Sequence, residues 1–460
     1  MSYSLLNAVW SALDLPASAP DAVRLTGEGE LPSYFAVTDL AAASVGAAAL
    51  AVQQLMAAQG AAPARVTVDR RLASLWFSWS IHPVGWERPP LWDAVAGDYA
   101  TADGWIRLHT NASHHRDAAL AVLGCAAERE AVARAVAGWR GEALEAAVVG
   151  QGGCAALMRS AEEWRRHPQG RAVAAEPLIA MTTAHSGADT SRGWAATPSR
   201  PLAGLKVLDL TRVLAGPVAT RFLAGYGADV LRIDPPGWNE PGVIPEVTLG
   251  KRCARLDLSQ TTDRAIFEGL LREADVLVHG YRADALERLG YGEQTRRRLN
   301  PGLTDVALDA YGWSGPWSGR RGFDSLVQMS CGIARHGMRM QEGSKPVPLP
   351  VQALDHATGY LMAAAVVRGL LYRLQKNRAL RARLSLARVA ALLADTPPAR
   401  RHSPEAMAAG GEADLAPQLE QTEWGPARRY RAPAEIDGAP MRWDRPACSL
   451  GAAAPRWGVD

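Results

Sequence analysis

The middle of the chain alternates between apolar runs and helical segments, and this alternation restricts the fold more than any other feature. A continuous apolar strand is predicted at 205–210, followed by a loop and by a helix that begins near Pro217. Further strands are predicted at 228–233, 274–280 and 303–310. Strands that alternate with helices form a doubly wound parallel sheet. We therefore predict an α/β fold that binds its ligands beyond the carboxyl ends of these strands.

The order of strand, turn, helix and strand also occurs in dinucleotide-binding proteins. Asp234, after the second strand, lies where a ribose-binding acid is expected. However, the loop at 211–217 lacks the three glycines of G-x-G-x-x-G, which let the backbone approach a pyrophosphate. The sequence therefore disfavours a nicotinamide-dependent enzyme.

A second feature is a repeat of one Asp–helix–strand unit. Asp39 and Asp355 each come just before a helix rich in small residues. About 25 residues later, alternating apolar residues predict a strand at 64–70 and another at 382–388. The shared order favours an internal duplication, and chance similarity between alanine-rich helices is the alternative.

Composition limits the class of protein. The net charge is +3, which gives no basic face for nucleic acid, and 48% hydrophobic with 21% charged residues is typical of globular chains. Five scattered cysteines suggest reduced thiols in a cytosol. The first residues lack the basic start of a signal peptide, and the longest apolar run, 40–52, is too short to span a bilayer. We expect a cytoplasmic protein that binds neither nucleic acid nor membrane.

The 460 residues predict two or three domains. Two amphipathic helical stretches are expected around 116–138 and 140–165, and a polar stretch near 182–200 is predicted to be a linker. We divide the chain into a partial first copy with the Asp39 unit (1–80), a small domain with a return segment (81–181), the linker (182–200), a ligand-binding α/β domain (201–395) and a loosely structured C-terminal tail (396–460).

Several motifs in this order resemble a known family, the class III CoA-transferases of the CaiB/BaiF type. They are PLAGLKVLDLTRVLAGP (201–217), YGADVLRID (226–234), GKRCARLDL (250–258), ADVLVHGYRADALERLGYG (274–292) and RRGFDSLVQMSCGI (320–333). YATADGW (99–105) and EEWRRHPQG (162–170) are similar to the small domain and return segment of that family.

The resemblance implies a doubly wound CoA-transferase large domain and a smaller α+β domain. Family dimers are interlocked rings whose active sites lie between the large domain of one subunit and the small domain of the other. This chain has the parts in an unusual order and is similar to two partial copies fused together. We expect either a homodimer or an intramolecular pseudo-dimer, with the loop at 99–115 lying over Asp355.

The resemblance also implies that Asp355 is a nucleophile. In the family, an Asp carboxylate attacks the thioester of an acyl-CoA to give a mixed anhydride, and CoA thiolate then forms an enzyme thioester. The alternative is that Asp355 caps its helix, since Asp at a helix start satisfies free N–H groups. Asp39 has the same local setting, and we expect it to be a structural relic.

No permanently bound cofactor is expected, because CoA, acyl-CoA and a carboxylic acid are substrates of this family. Arginine and lysine can form charge-assisted hydrogen bonds to the phosphates of CoA. Lys251 is the preferred candidate because the chain has only four lysines. The positions that match the CoA-binding residues of the family are Leu214, Ala215, Gly250, Lys251, Tyr281, Arg282, Arg288 and Arg321.

Some positions depart from the family. Pro235 stands where formyl-CoA transferases have an Arg, and the segment 86–97 lacks their run of glycines. Phe323 stands where family racemases have a His, which disfavours the alternative of an acyl-CoA racemase or isomerase. A third possible function is that of a non-catalytic CoA-binding protein. The histidines at 109–115 predict a polar loop facing a pocket, without a metal site.

Overall fold

The structure is a computed structural model that describes residues 2–17, 19–185, 194–281, 284–397 and 406–458. An N-terminal unit comes first, and its strands β1 and β2 pair in parallel. Its elements are α1 (Ser2–Ala12), a short 3₁₀ helix (Ala19–Ala22), β1 (Val23–Thr26), α2 (Val37–Ala58), β2 (Val66–Asp69), α3 (Arg70–Trp76) and β3 (Ile81–Pro83).

Helix α2 is alanine-rich and contributes to the core on nearly every side. By length and composition it could cross a membrane, but 89% of its most apolar window is buried inside the protein. A helix that is hydrophobic all round needs such burial. The apolar character of α2 is therefore accounted for by the core.

A small antiparallel sheet with surrounding helices follows, in the strand order β4-β5-β6. The two helical stretches predicted here are in fact several shorter helices. The first stretch is divided at Gly124, which adopts a left-handed conformation and ends a helix, and the second is interrupted by β6. The elements are β4 (Gly97–Ala100), β5 (Trp105–Leu108), α4 (Ser113–Leu123), α5 (Arg129–Ala137), α6 (Gly141–Gly150), β6 (Ala155–Leu157), α7 (Ala161–Arg166), α8 (Pro168–Ala175) and β7 (Ala180–His185).

The predicted strands of the α/β segment all form within one large sheet. The further elements of this segment are β8 (Lys206–Leu210), α9 (Ala215–Gly225), β9 (Asp229–Asp234), α10 (Ile244–Val247), β10 (Lys251–Arg255), α11 (Thr261–Glu273), β11 (Val276–His279), α12 (Ala285–Arg288), α13 (Glu293–Leu299), β12 (Thr304–Asp309), α14 (Asp324–Ser330), α15 (Ile333–Met340), α16 (Ala353–Lys376), β13 (Arg378–Ser385) and α17 (Leu386–Ala394).

The strand order of the large sheet is β10-β9-β8-β11-β12-β13-β7. The strands are parallel except β7, which pairs antiparallel with β13. From β8 the chain moves outward first to one side and then to the other, so the predicted doubly wound α/β fold is confirmed. The predicted linker is wrong at its start, because residues 182–185 belong to β7 and complete the sheet.

The predicted loose tail is also wrong for its described part, 406–458. It contains a short 3₁₀ helix (Glu412–Asp414) and the strands β14 (Glu420–Thr422), β15 (Gly425–Arg429) and β16 (Ala434–Ile436). Strand β15 pairs with β3 and β16 pairs with β2, so the C-terminal segment completes sheets begun by the N-terminal unit. Strands of three to five residues carry too little periodicity to be recognised from the sequence.

A buried carboxylate joins these distant parts. Glu246 is 1% exposed and accepts a hydrogen bond from the hydroxyl of Ser80, with an O–O distance of 2.7 Å. The guanidinium groups of Arg221 and Arg429 lie against the same carboxylate. The first unit, the large sheet domain and the C-terminal segment thus meet at one side chain, and the two arginines supply the charge that it needs.

Helices α2 and α16 pack against each other at the centre of the molecule, and α16 also packs on α9. The contact with α9 needs a glycine, since a Cβ at Gly359 would lie 2.4 Å from the carbonyl oxygen of Ala215. The two Asp–helix–strand units are therefore neighbours in space, as we expected of a pseudo-dimer. Their origin by duplication stays a prediction.

Candidate active site

Asp355 lies in the first turn of α16, whose N-cap residue is Gln352. It therefore does not occupy the cap position, contrary to the structural alternative considered above. Its backbone N–H donates to a carboxylate oxygen of Asp324, over 2.9 Å. Asp324 is the first residue of α14. A carboxylate from another helix therefore accepts a hydrogen bond from a free N–H group at the start of α16, where negative charge is favourable.

The carboxylate of Asp355 is buried and has no cationic partner among the described residues. Asp355 is 8% exposed, and among the described residues none donates a hydrogen bond to its side chain. Burial raises the pKa of Asp355 well above the ordinary value of 3.8, and the neighbouring carboxylate of Asp324 raises it further. Burial also raises the pKa of Asp324, to about 6. Two interacting carboxyls with raised pKa values mark this as a functional-site candidate.

A cavity of about 350 Å³ opens on one side of Asp355, at the carboxyl ends of β8, β11 and β12. Its walls include the predicted site residues Leu214, Ala215, Tyr281 and Arg321. The first two lie at the start of α9, where backbone N–H groups have no partner within the helix. The structure thus brings four of the predicted CoA-binding positions together with the predicted nucleophile.

Arg212 lines the same cavity and was missed from the sequence. Its guanidinium stacks on the rings of Trp238 and Tyr281, with distances of 4.6 and 4.9 Å to the ring centroids. It also donates to the Tyr281 hydroxyl over 3.0 Å and lies 3.7 Å from Asp234, next to the position of Pro235. Its place in the loop after the first strand was the signal that could have identified it.

Three of the remaining predicted CoA contacts lie outside this cavity. Lys251 is fully buried, and its ammonium donates to the carboxylate of Asp209 over 3.0 Å rather than facing the cavity. Gly250 is covered by Trp443, since a Cβ there would lie 2.5 Å from that ring. Arg288 is exposed at the end of α12 and outside the cavity lining. Arg282 lies outside the described residues.

A second cavity, of about 220 Å³, opens on the other side of Asp355. Val213, Leu214, Phe323 and Asp355 line both cavities and separate them. Val213 adopts a φ of 64°, which is strained for a β-branched residue and typical of functional loops. About half of the remaining lining of the second cavity comes from the first half of the chain: Phe77, Ser78, Trp79, Leu91, Trp92, His109 and Asn111.

The loop after β5 lies over Asp355 within one chain, as we expected. His109 stacks face to face on Phe323, with ring centroids 3.7 Å apart, and lines the second cavity. Burial lowers the pKa of His109 to about 3, and that of His115 to about 3 as well. Both imidazoles are therefore neutral at physiological pH. His114 and His115 line the first cavity rather than the second.

Asp39 has the same position in α2 that Asp355 has in α16, but a different environment. It is 4% exposed, and its carboxylate accepts a hydrogen bond from Arg70 over 2.9 Å. The cavities that contain Asp355 do not include Asp39 among their lining residues. Of the two aspartates, Asp355 therefore has the environment of a reactive group, whereas Asp39 has that of a structural ion pair.

The fold and site define an α/β protein with a buried carboxylate between a basic and an apolar cavity. The sequence model of CoA-transferase family III matches residues 202–451, and the chain belongs to this family. The match begins just before β8 and contains Asp355 and all of the first cavity except His114 and His115. The seven residues of the second cavity that come from the first half of the chain lie outside the match.

Three relatives illustrate the similarity. Acetyl-coenzyme A transferase nodX of Hypoxylon pulicicidum is 36% identical over 198 residues, which cover 41% of this chain and 33% of that protein. The probable fatty acyl-CoA transferase Rv3272 of Mycobacterium tuberculosis is 35% identical, over 38% of this chain and 48% of that one. Human succinyl-CoA:glutarate CoA-transferase is 30% identical, over 44% and 50% respectively.

The chain thus spans between a third and a half of the length of these relatives. Among solved structures, Rv3272 from Mycobacterium tuberculosis matches with a TM-score of 0.39 and 32% identity, over 42% of this chain and 57% of that one.

Proposed function

We propose that this protein transfers CoA between carboxylic acids and that Asp355 is its nucleophile. The observation that carries the proposal is the position of one buried carboxylate, without a cation, at the junction of two cavities. Membership of CoA-transferase family III supports it, as do the names of the relatives. A carboxylate that water and cations do not stabilise is a stronger nucleophile once it is ionised.

The two cavities suggest how an acyl-CoA would bind. Arg212 and Arg321 in the first cavity are suited to the phosphates of CoA, because guanidinium groups form charge-assisted hydrogen bonds to them. Tyr281 and Trp238 offer ring faces beside Arg212. The acyl group would then enter the second cavity, and the thioester would lie between the two, next to Asp355.

The proposed reaction has two halves. The Asp355 carboxylate attacks the thioester carbonyl, the C–S bond breaks, and a mixed anhydride and CoA thiolate form. The thiolate attacks the anhydride at the Asp355 carbon, which releases the first carboxylate and leaves an enzyme thioester. The acceptor carboxylate then attacks the enzyme thioester, which releases CoA thiolate and gives a second mixed anhydride. The thiolate attacks the acyl carbon of this anhydride, which forms the new acyl-CoA and frees the Asp355 carboxylate. The backbone N–H groups at Leu214 and Ala215 are candidates to stabilise the oxyanions.

The test is to incubate the full chain with an acyl-CoA, quench with hydroxylamine and map the labelled residue by mass spectrometry. Hydroxylamine displaces CoA from the enzyme thioester, and we expect a hydroxamate on Asp355. The Asp355→Ala variant should lose roughly 10,000-fold in kcat/KM, the scale of losing a covalent nucleophile, while it still binds CoA. Asp39→Asn is the matched control and should keep the label on Asp355.

Turnover in Asp355→Ala at the original rate would exclude this role. Tight CoA binding without a covalent label from any acyl-CoA would instead support a non-catalytic CoA-binding protein.

A racemase or isomerase is the second candidate, because His109 and Asp355 line the same cavity. A neutral imidazole and a carboxylic acid could exchange a proton at the α-carbon of an acyl-CoA. Uptake of deuterium at that carbon of a 2-methylacyl-CoA, with no acceptor acid present, would favour this reaction. We rank racemisation below CoA transfer, because Phe323 stands at the position of the racemase histidine.

A further inference from the structure

The cavity that would receive the acyl group has several aromatic rings in its lining. Phe77, Trp79, Trp92 and Phe323 contribute rings to the second cavity, of about 220 Å³. A third cavity of about 220 Å³ adjoins it and shares Trp92 and Phe323. An apolar protein cavity of about 150 Å³ is enough to hold benzene. Each of these two spaces is therefore large enough for one aromatic ring.

The charge of the lining is negative. Among the residues that the structure describes, no lysine or arginine lines either the second or the third cavity. The second cavity contains the carboxyl groups of Asp324 and Asp355. The third contains those of Asp93 and Glu240, which are already paired with Arg116 and Arg232. A negatively charged group of the substrate, other than the reacting carboxylate, would find no cationic side chain in the described lining.

Two arginines lie behind the tryptophan rings of these cavities. Arg107 donates to Asp98 over 2.8 Å and stacks on Trp92, at 4.9 Å from the ring centroid. Arg88 stacks on Trp79, at 5.0 Å. Both cations lie against an indole ring that lines the acyl cavities, and neither guanidinium lines those cavities. The rings thus present an apolar surface to the substrate.

We propose that the acids exchanged by this enzyme are monocarboxylic acids with an apolar, ring-sized body, and that dicarboxylic acids are excluded. The proposal rests on the CoA-transferase function proposed above and names its substrate class. A second carboxylate would have to be desolvated beside the carboxyl groups of Asp324 and Asp355, with no lysine or arginine among the described lining residues, which is strongly unfavourable. An aromatic ring would instead replace water against other rings, which is favourable.

The test compares acceptor acids that differ at one end. Acetyl-CoA is the donor, and hexanoate, adipate and 3-phenylpropanoate are the acceptors, with the full chain as enzyme. We expect kcat/KM for adipate to be at least about 100-fold below that for hexanoate, the scale of an unpaired polar group in a binding site. 3-Phenylpropanoate should equal or exceed hexanoate. Turnover of adipate at the rate of hexanoate or faster would overturn the substrate class and leave the transferase function intact.

A change of charge in the cavity provides a second measurement. Leu91 lines both acyl cavities and lies in a loop. Leu91→Arg should raise the ratio of adipate to hexanoate turnover by about tenfold or more, because it supplies the missing cation. Leu91→Met, of similar size and uncharged, should keep the preference for the monocarboxylate. An unchanged ratio in Leu91→Arg would contradict the electrostatic argument.

If none of these acids is turned over, the proposed transferase function is wrong. The preference of the cavities for an apolar acyl group is then tested by measuring binding. Calorimetry with the Asp355→Asn variant then compares 3-phenylpropanoyl-CoA with adipyl-CoA, which share the CoA group. Binding of the aromatic thioester at least about tenfold more tightly supports the inference. Equal affinities, or tighter binding of adipyl-CoA, overturn it.

Discussion

Replacing Asp355 by Asn should stabilise the protein at neutral pH. The carboxylate is buried, lacks a donor among the described residues, and lies beside a second carboxylate, Asp324. An amide has nearly the same shape and carries no charge. We expect the free energy of unfolding to rise by about 1–3 kcal/mol, because the amide avoids the desolvation of a charge and its repulsion from Asp324.

The pH dependence follows from the direction of the pKa shift. Burial, and then Asp324, raise the pKa of Asp355 in the folded protein above the ordinary value of 3.8. The folded state therefore binds this proton more tightly than the unfolded state does. Below pH 3.8 the group is protonated in both states and has no effect on stability. Above pH 3.8 the stability of the wild type falls as the pH rises, until the folded pKa is passed. The difference in free energy of unfolding between Asp355→Asn and wild type should therefore grow with pH and disappear towards acidic pH.

Urea unfolding followed by tryptophan fluorescence, at a series of pH values, measures this difference. Asp39→Asn is the matched control, since it is the same substitution at the same position of the paired helix. There the change removes the negative charge that pairs with a largely buried Arg70, so we expect a loss of about 1–2 kcal/mol at neutral pH. If Asp355→Asn lowered stability as Asp39→Asn does, Asp355 would be a structural residue and the reasoning would be wrong.

Two further predictions concern the buried network and the nucleophile. Glu246→Ala should cost roughly 3–5 kcal/mol in thermal or urea unfolding, because it leaves the guanidinium groups of Arg221 and Arg429 buried without their carboxylate; a loss below about 1 kcal/mol would contradict this. The kcat/KM for CoA transfer should rise with pH through an inflection well above 3.8, because Asp355 must be ionised to attack; a profile that is flat from acidic to neutral pH would exclude Asp355 as the titrating nucleophile.

The large sheet was predictable because buried parallel strands are continuous apolar runs. LKVLDL (205–210) and ADVLVHG (274–280) became β8 and β11 with ends shifted by one to two residues. Strands β14 and β16 have three residues each and depend on pairing with β15 and β2, so no local pattern announces them. The small domain was predicted with too few helices, because periodicity continues across residues such as Gly124 that end a helix.

The site was predictable where a residue's position in a motif determines its role. Asp355 and Tyr281 follow from their motifs and do line the first cavity. Lys251 was chosen because lysine is rare, but rarity says nothing of burial, and the side chain is paired with Asp209. Trp79 in the acyl cavity could not be predicted, because it is far from Asp355 in the sequence and only tertiary packing brings the two residues together.

That packing also separates the two tasks proposed for the site. The cavity suited to CoA is built mainly by the loops of the large sheet, with Arg212 and Arg321 inside the family match at 202–451. The acyl cavity takes Trp79 and Trp92 from the segment before residue 202. These residues reach Asp355 because α2 packs on α16 and brings the segment after α3 to the start of α16. Under the proposed function, the family match therefore carries most of the binding of CoA, whereas the choice of acid depends on residues both inside and outside it. Substitutions at 77–92 should consequently change which acid is used before they change the affinity for CoA.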